Sequence, residues 1–162
     1  MSNIRNKIDD AKWLLERMLS WVAAADVKTG IVLSIQIAMF GGLAATYSTA
    51  DIVNRSNAAY FFVALACGSL ISAVSCAAAA AIPRISGPIR SNIYFGRIVK
   101  VPVASFNAAF EKLNDADFLQ DLTSQIHRNA EIANLKHAWI RSSMEWTFGS
   151  AIPWSVAILL LI

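Results

Sequence analysis

The chain has 162 residues, of which 56% are hydrophobic and 15% charged, and its net charge is +3. A soluble domain carries about 25% charged residues, so the chain is poor in charge for its length. With 7 glycines and 4 prolines, it favours helix over barrel or coil. Arg and Lys do not cluster among interleaved aromatics, so no nucleic-acid partner is expected.

Residues 1–28 hold nine charged side chains, and no apolar core lies close behind a short basic head. No cleavable signal peptide is expected. Ile4, Ile8, Ala11, Leu15, Met18, Val22 and Ala25 recur at alternating spacings of 4 and 3, which makes a heptad seam on an amphipathic helix. Such a helix is marginal alone: it either packs on a partner helix or lies on the membrane surface. Asp26 and Lys28 close it at a membrane edge. Ionisable groups there snorkel or pair, and the other reading is a gating or ligand role.

Residues 29–50 carry no charged side chain, and neither do residues 56–83; after Glu145, 17 uncharged residues run to Ile162. A bilayer core needs about 17–25 apolar residues per helix, so three spans are expected, the third at the short limit. Pro153 kinks it, as membrane helices tolerate, and a re-entrant or interfacial third segment is the alternative. Trp21, Tyr47, Tyr60, Trp146 and Trp154 mark headgroup depth. The stretch to Lys28 has five Lys and Arg, the 51–57 loop has Arg55 alone, and residues 83–143 have eight. The positive-inside rule puts the N-terminus and the middle segment in the cytoplasm.

Within the first span, Gln36 needs a polar partner, either in a neighbouring helix or as a channel lining. Gly41, Gly42 and Ala45 allow close helix approach there. The second span repeats a small residue every four positions, at Ala64, Gly68, Ser72, Cys76 and Ala80, which makes a packing face within or between subunits. Cys67 and Cys76 lie about 13 Å apart along one helix, too far for a disulfide.

The middle segment begins irregularly around Pro83, Gly87 and Pro88. A short helix follows Pro102, with Val103, Phe106, Phe110 and Leu113 on one face. Asn114 or Asp115 caps the next helix, whose stripe is Phe118, Leu122, Ile126, Ala133 and Ile140. That helix meets no breaker before Gly149, so it runs on into the third span. His127 and His137 lie about 15 Å apart on it and share no metal. With no G-x-S-x-G pattern, no phosphate-cradling glycine loop and the cysteines in the membrane, neither an enzyme nor a cofactor is expected. Tyr94 and Phe95 stand beside Gly96 and Arg97. They either anchor a loop on the helical module or stack a base while Arg holds a phosphate.

Three stretches carry a resemblance. Trp21 to Gln36 resembles a signature in which a tryptophan precedes an Ala-Asp-x-Lys turn into a first span. Asn92 to Ile98, NIYFGRI, is similar to an aromatic-glycine motif after the second span. Asp121 to Ser143 resembles the helix leading into the last span, with matching Gln125, Ile132 and Lys136. The family is the transmembrane effector of the Pycsar anti-phage system.

The resemblance implies sensing of a cyclic pyrimidine mononucleotide, cUMP or cCMP, made by a partner cyclase after infection. It further implies that the inner membrane is then impaired, so that the cell dies or stops growing before phage matures; the expected route is a nucleotide-driven shift of an oligomeric bundle toward a leaky state. The resemblance does not fix the contacts; the candidates are Tyr94 or Phe95 on the base, Arg97 or Arg128 on the phosphate, and Asn92 or Gln125 on the pyrimidine edge. Asp26, Lys28, Gln36 and Lys136 would couple sensor to membrane. The rivals are an effector of similar architecture with another nucleotide trigger, and a ligand-free scaffold in the lipid bilayer.

The expected organisation is therefore an all-α membrane protein: a cytoplasmic amphipathic helix over 1–28, spans over 29–50, 58–82 and 145–162, a periplasmic loop over 51–57, and a cytoplasmic helical sensor module over 83–144.

Overall fold

A computed structural model describes residues 2–51 and 55–162. Of the expected 51–57 loop, residues 52–54 lie outside the described residues. The chain forms α1 (Ser2–Thr49), α2 (Asn57–Ala81), α3 (Phe95–Ile98), α4 (Val103–Glu111) and α5 (Asp115–Leu161), with no strand among the described residues. Three of these, α1, α2 and α5, are long and apolar enough to cross a membrane. The protein is a multi-pass, all-α membrane protein.

The expected amphipathic helix and first span are one unbroken helix, α1. The stretch around Asp26 has no proline, so nothing stops the hydrogen-bond ladder there. α5 likewise runs from the middle segment through the third apolar stretch, with Pro153 inside it. Asn114 starts α5: its Oδ1 accepts from the Asp117 N–H at 2.9 Å, which satisfies one of the orphan donors of the first turn.

The chain divides into two compact units. One comprises the residues up to Ala24 with Pro83–Leu135; the other comprises Ala25–Ile82 with Lys136–Ile162. In the first, Ile8 and Ala11 of α1 bury against Leu122 of α5, flanked by Ile4, Leu15, Ile93, Phe118, Leu119 and Ile126. The heptad seam thus finds a partner helix. The face expected on α4 stays largely open, with Val103 and Phe110 exposed and Phe106 stacked on Phe110 at 6.0 Å.

In the second unit, three helices pack around Leu43, Ala59, Ala66, Ala157 and Leu161, and around Ala25, Ala80 and Ile140. α2 turns Ala59, Ala66, Leu70, Ala73, Ala77 and Ala80 inward. The expected stripe does not line the interior of this chain: Ala64 and Gly68 face outward, Ser72 and Cys76 are half-buried, and only Ala80 is shared, which leaves the stripe its between-subunit reading. Alanine is so frequent in α2 that two small-residue faces coexist, and contacts with α1 and α5 select the other one. Arg55 closes α1 by donating to the carbonyls of Tyr47 at 2.7 Å and Ala50 at 3.0 Å. A cation there complements the negative end of the helix dipole.

Candidate functional site

In the first unit, one face of α5 laces down the loop that precedes α3. Asp121, Gln125 and Arg128 recur at spacings of 4 and 3, so they share a helix face. Asp121 Oδ2 accepts from the Asn92 N–H at 2.6 Å. Gln125 Nε2 donates to Ser91 Oγ at 2.9 Å, and Ser91 Oγ accepts the N–H groups of Ile93 at 3.2 Å and Tyr94 at 3.0 Å. Arg128 Nε donates to the Ser86 carbonyl at 2.9 Å, and its Nη2 donates to Ser86 Oγ. Arg128 Nη1 pairs with Glu131 at 2.8 Å. That hydrogen bond, reinforced by charge from His127, holds the Glu131 carboxyl below its ordinary value of 4.5.

A cleft of about 280 Å³ opens beside this lacing, lined by Tyr94, Phe95, Gln125 and Arg128 together with Arg84, Ser86 and Asn129. Four of the six expected ligand residues therefore meet in one place. The other two do not: Asn92 and Arg97 line a separate pocket, and the Arg97 Nη1 donates to the Ser91 carbonyl at 3.2 Å. The short α3 explains the placement of Arg97, because Phe95 and Arg97 are two apart and point to different sides.

The two aromatics also have different environments. A Cβ added at Gly87 or Gly96 would fall 2.7 Å from the Tyr94 ring, and the Tyr94 hydroxyl donates to the Ile85 carbonyl. Tyr94 therefore clasps the loop. Phe95 meets Tyr94 edge-on at 5.0 Å and is 65% exposed, so it keeps a free face. Sequence reasoning missed Arg84, Ser86 and Asn129. Asn129 was findable, since it sits four residues after Gln125 on the same helix face; Arg84 and Ser86 reach the cleft through an irregular loop that no periodicity describes.

The second unit holds a buried polar set. Lys136 of α5 is 5% exposed; its ammonium donates to Asp26 of α1 and, at 2.9 Å, to the Ala80 carbonyl in the last turn of α2. One ammonium thus joins three helices. Lys28, expected beside Asp26, is exposed. Deeper in, Gln36 is wholly buried, and its Nε2 donates to Ser143 Oγ at 2.9 Å and Thr147 Oγ1 at 2.8 Å. Ser143 donates onward to the Ala73 carbonyl at 2.8 Å. Gln36 Oε1 has no hydrogen-bond partner among the described residues. Gly42 lies against the Trp154 ring, whereas Gly41 and Gly68 have open space where a side chain would begin.

Comparison with known families decides the relationship. The model of the Pycsar effector protein domain, PycTM, matches residues 10–162. The chain belongs to the Pycsar effector family. No curated protein and no solved structure matches it. Family membership and the three apolar helices support a membrane effector of anti-phage defence. Among the described residues of this effector, no group of His, Cys, Asp and Glu is arranged to hold a metal.

Proposed function

We propose that this Pycsar effector senses a cyclic pyrimidine mononucleotide, cUMP or cCMP from a partner cyclase, and then impairs the bacterial inner membrane, causing abortive infection. The observation that carries the sensing step is the cleft of about 280 Å³ that gathers Phe95, Gln125 and Arg128. Its volume lies just below the usual range of ligand pockets, a size that admits nothing larger than one mononucleotide. The exposed face of Phe95 stacks the base. Gln125 and Asn129 reach its polar edge, and Arg128 takes the phosphate, with Arg84 alongside.

The proposed trigger is an exchange at Arg128. Its guanidinium holds the loop through Ser86, and a bound phosphate competes for the same N–H groups. A ligand shifts an equilibrium only through unequal affinity for its two states, and this exchange supplies the inequality. In the membrane unit the response acts on the Lys136 and Gln36 hydrogen bonds. The acting species is an oligomer of this chain, with the N-terminus and the 83–144 segment in the cytoplasm.

Calorimetry of the detergent-purified protein with cUMP, cCMP, cAMP and cGMP tests the reading. Selective pyrimidine binding that weakens tenfold or more in Arg128→Ala and in Phe95→Ala is expected, by about 1.4 kcal/mol or more each. Selective binding untouched by both substitutions keeps the sensor and moves its site. Binding of none of the four nucleotides removes the sensing function and leaves a scaffold or another trigger.

A further inference from the structure

The chain that leaves α2 has an unusual surface. No Asp or Glu occurs between Asp51 and Glu111, while Arg84, Arg90, Arg97 and Lys100 all do. The same stretch turns large apolar side chains outward: Ile85 is 71% exposed, Ile89 90% and Val99 79%. These two properties meet in one groove of about 270 Å³, lined by Ile85, Ile89, Arg97 and Lys100. This groove is separate from the nucleotide cleft in its cations: neither Arg97 nor Lys100 lines that cleft.

We infer that this groove docks on anionic phospholipid in the leaflet that α2 leaves, with Arg97 and Lys100 on a headgroup phosphate and Ile85 and Ile89 in the acyl boundary. Basic residues beside outward apolar side chains are the pattern of interfacial segments, which combine buried apolar area with attraction to anionic lipid. Continuity supplies the reach. Ile85 comes four residues after Ala81, the last residue of α2, and four residues extend at most about 14 Å. A second copy of the same surface is disfavoured, because an isologous contact would set cation against cation with no carboxylate among the described residues that line the groove. A soluble anion would satisfy the cations but leave both isoleucines in water. The inference stands whether or not the chain binds a nucleotide.

The test uses the full chain with Cys67→Ala and Cys76→Ala, an environment-sensitive fluorophore on Ile89→Cys, and Thr123→Cys as the reference position. The protein is reconstituted in phosphatidylcholine vesicles with or without phosphatidylglycerol, each carrying headgroup-nitroxide lipid as quencher. Strong quenching at position 89 that depends on phosphatidylglycerol is expected, with little at position 123. Lys100→Gln should lower the docked fraction relative to the free one about five-fold, and Ile85→Ser should lower it independently. Circular dichroism checks that both variants are folded.

Absence of quenching at position 89 overturns the inference, as does equal quenching in the two lipids. Quenching lost to inorganic phosphate, but not to chloride salt at equal ionic strength, assigns the groove to a free anion and also overturns it. Shielding that scales with the protein-to-lipid ratio assigns it to a second copy, with the same consequence.

Discussion

Replacing Asp26 by alanine leaves the Lys136 ammonium buried with the Ala80 carbonyl as its remaining partner of the two. Breaking a buried ion pair from one side costs about 3–5 kcal/mol, because an uncompensated charge stays behind. Here the pair is lopsided: the Lys136 side chain is 6% exposed and that of Asp26 52%. Solvent screening on the aspartate side reduces the loss, so Asp26→Ala is expected to destabilise the protein by about 2 kcal/mol. Lys136→Met is the informative contrast. Methionine follows the same path with an apolar end, and the aspartate it abandons is already half in water. Its cost is expected below about 1 kcal/mol, and Asp26→Ala added to it should cost little more. The assay is unfolding in mixed micelles with increasing dodecyl sulfate, followed by far-ultraviolet circular dichroism. Lys136→Met costing as much as Asp26→Ala would refute the argument that the buried ammonium sets the energetics of this junction.

Gly87→Ala and Gly96→Ala each push a Cβ to 2.7 Å from the Tyr94 ring. Both should therefore speed hydrogen exchange across the loop preceding α3 without changing the membrane helices; unchanged exchange there removes the clasp role of Tyr94. In the bundle, Gly42→Ala puts a Cβ 3.3 Å from Trp154 Cζ2 and should cost about 1 kcal/mol. Gly68→Ala meets open space and should gain about 0.8 kcal/mol of helix propensity, read in the same micelle titration. A loss at Gly68 would mean that the outward stripe of α2 touches another copy. The lowered Glu131 carboxyl value gives a pH signature. A depressed acid contributes stability that is present above its unfolded value and lost as pH falls through the folded one. The stability difference between wild type and Glu131→Gln should therefore be flat above about pH 5 and close below the ordinary value of 4.5, in thermal melts across that range.

The sequence was most legible where a period and an environment agree. The 4-and-3 spacing from Ile4 to Ala25 specifies one helix face, and Ile8, Ala11 and Ala25 of that seam are buried. The uncharged stretches delimit the three apolar helices because lipid demands length and apolarity together. The absence of a breaker in α5 predicted its continuity, and the same reasoning applied around Asp26 would have joined the first helix to the first span. Legibility fails where several faces satisfy one rule. In α2 the small residues fit two stripes, and only the positions of α1 and α5 choose between them. It fails again in the 83–94 loop, where Ser91 and Ser86 are held by hydrogen bonds from Gln125 and Arg128 that lie more than thirty positions away. Neighbours in sequence also part company: Phe95 faces the cleft, while Arg97 faces the groove with Lys100.

What holds the membrane unit together bears on how it can switch. In lipid, apolar burial gives little drive to helix association, which rests on close packing and interhelical hydrogen bonds. The end of the bundle near the α1–α2 connection uses packing, through Leu43, Ala59, Ala66, Ala157 and Leu161. The middle uses polar bonds, since Gln36, Ser143, Thr147 and Ser150 are all buried. Such bonds average about 0.6 kcal/mol each in membrane bundles, so the two that Gln36 donates are together worth about 1.2 kcal/mol. Ser143 and Thr147 also donate to backbone carbonyls, and those bonds do not depend on Gln36. Separating α1 from α5 at this level therefore strands few groups, and the hydroxyls it uncovers accept water readily. A bundle apolar throughout would resist hydration, and one tied by several buried ion pairs would resist separation. This interior does neither, and the contact between its helices that costs most to break from one side is that of the buried Lys136 ammonium. A signal that displaces that ammonium from Asp26 or from Ala80 acts on the contact whose loss changes the balance most.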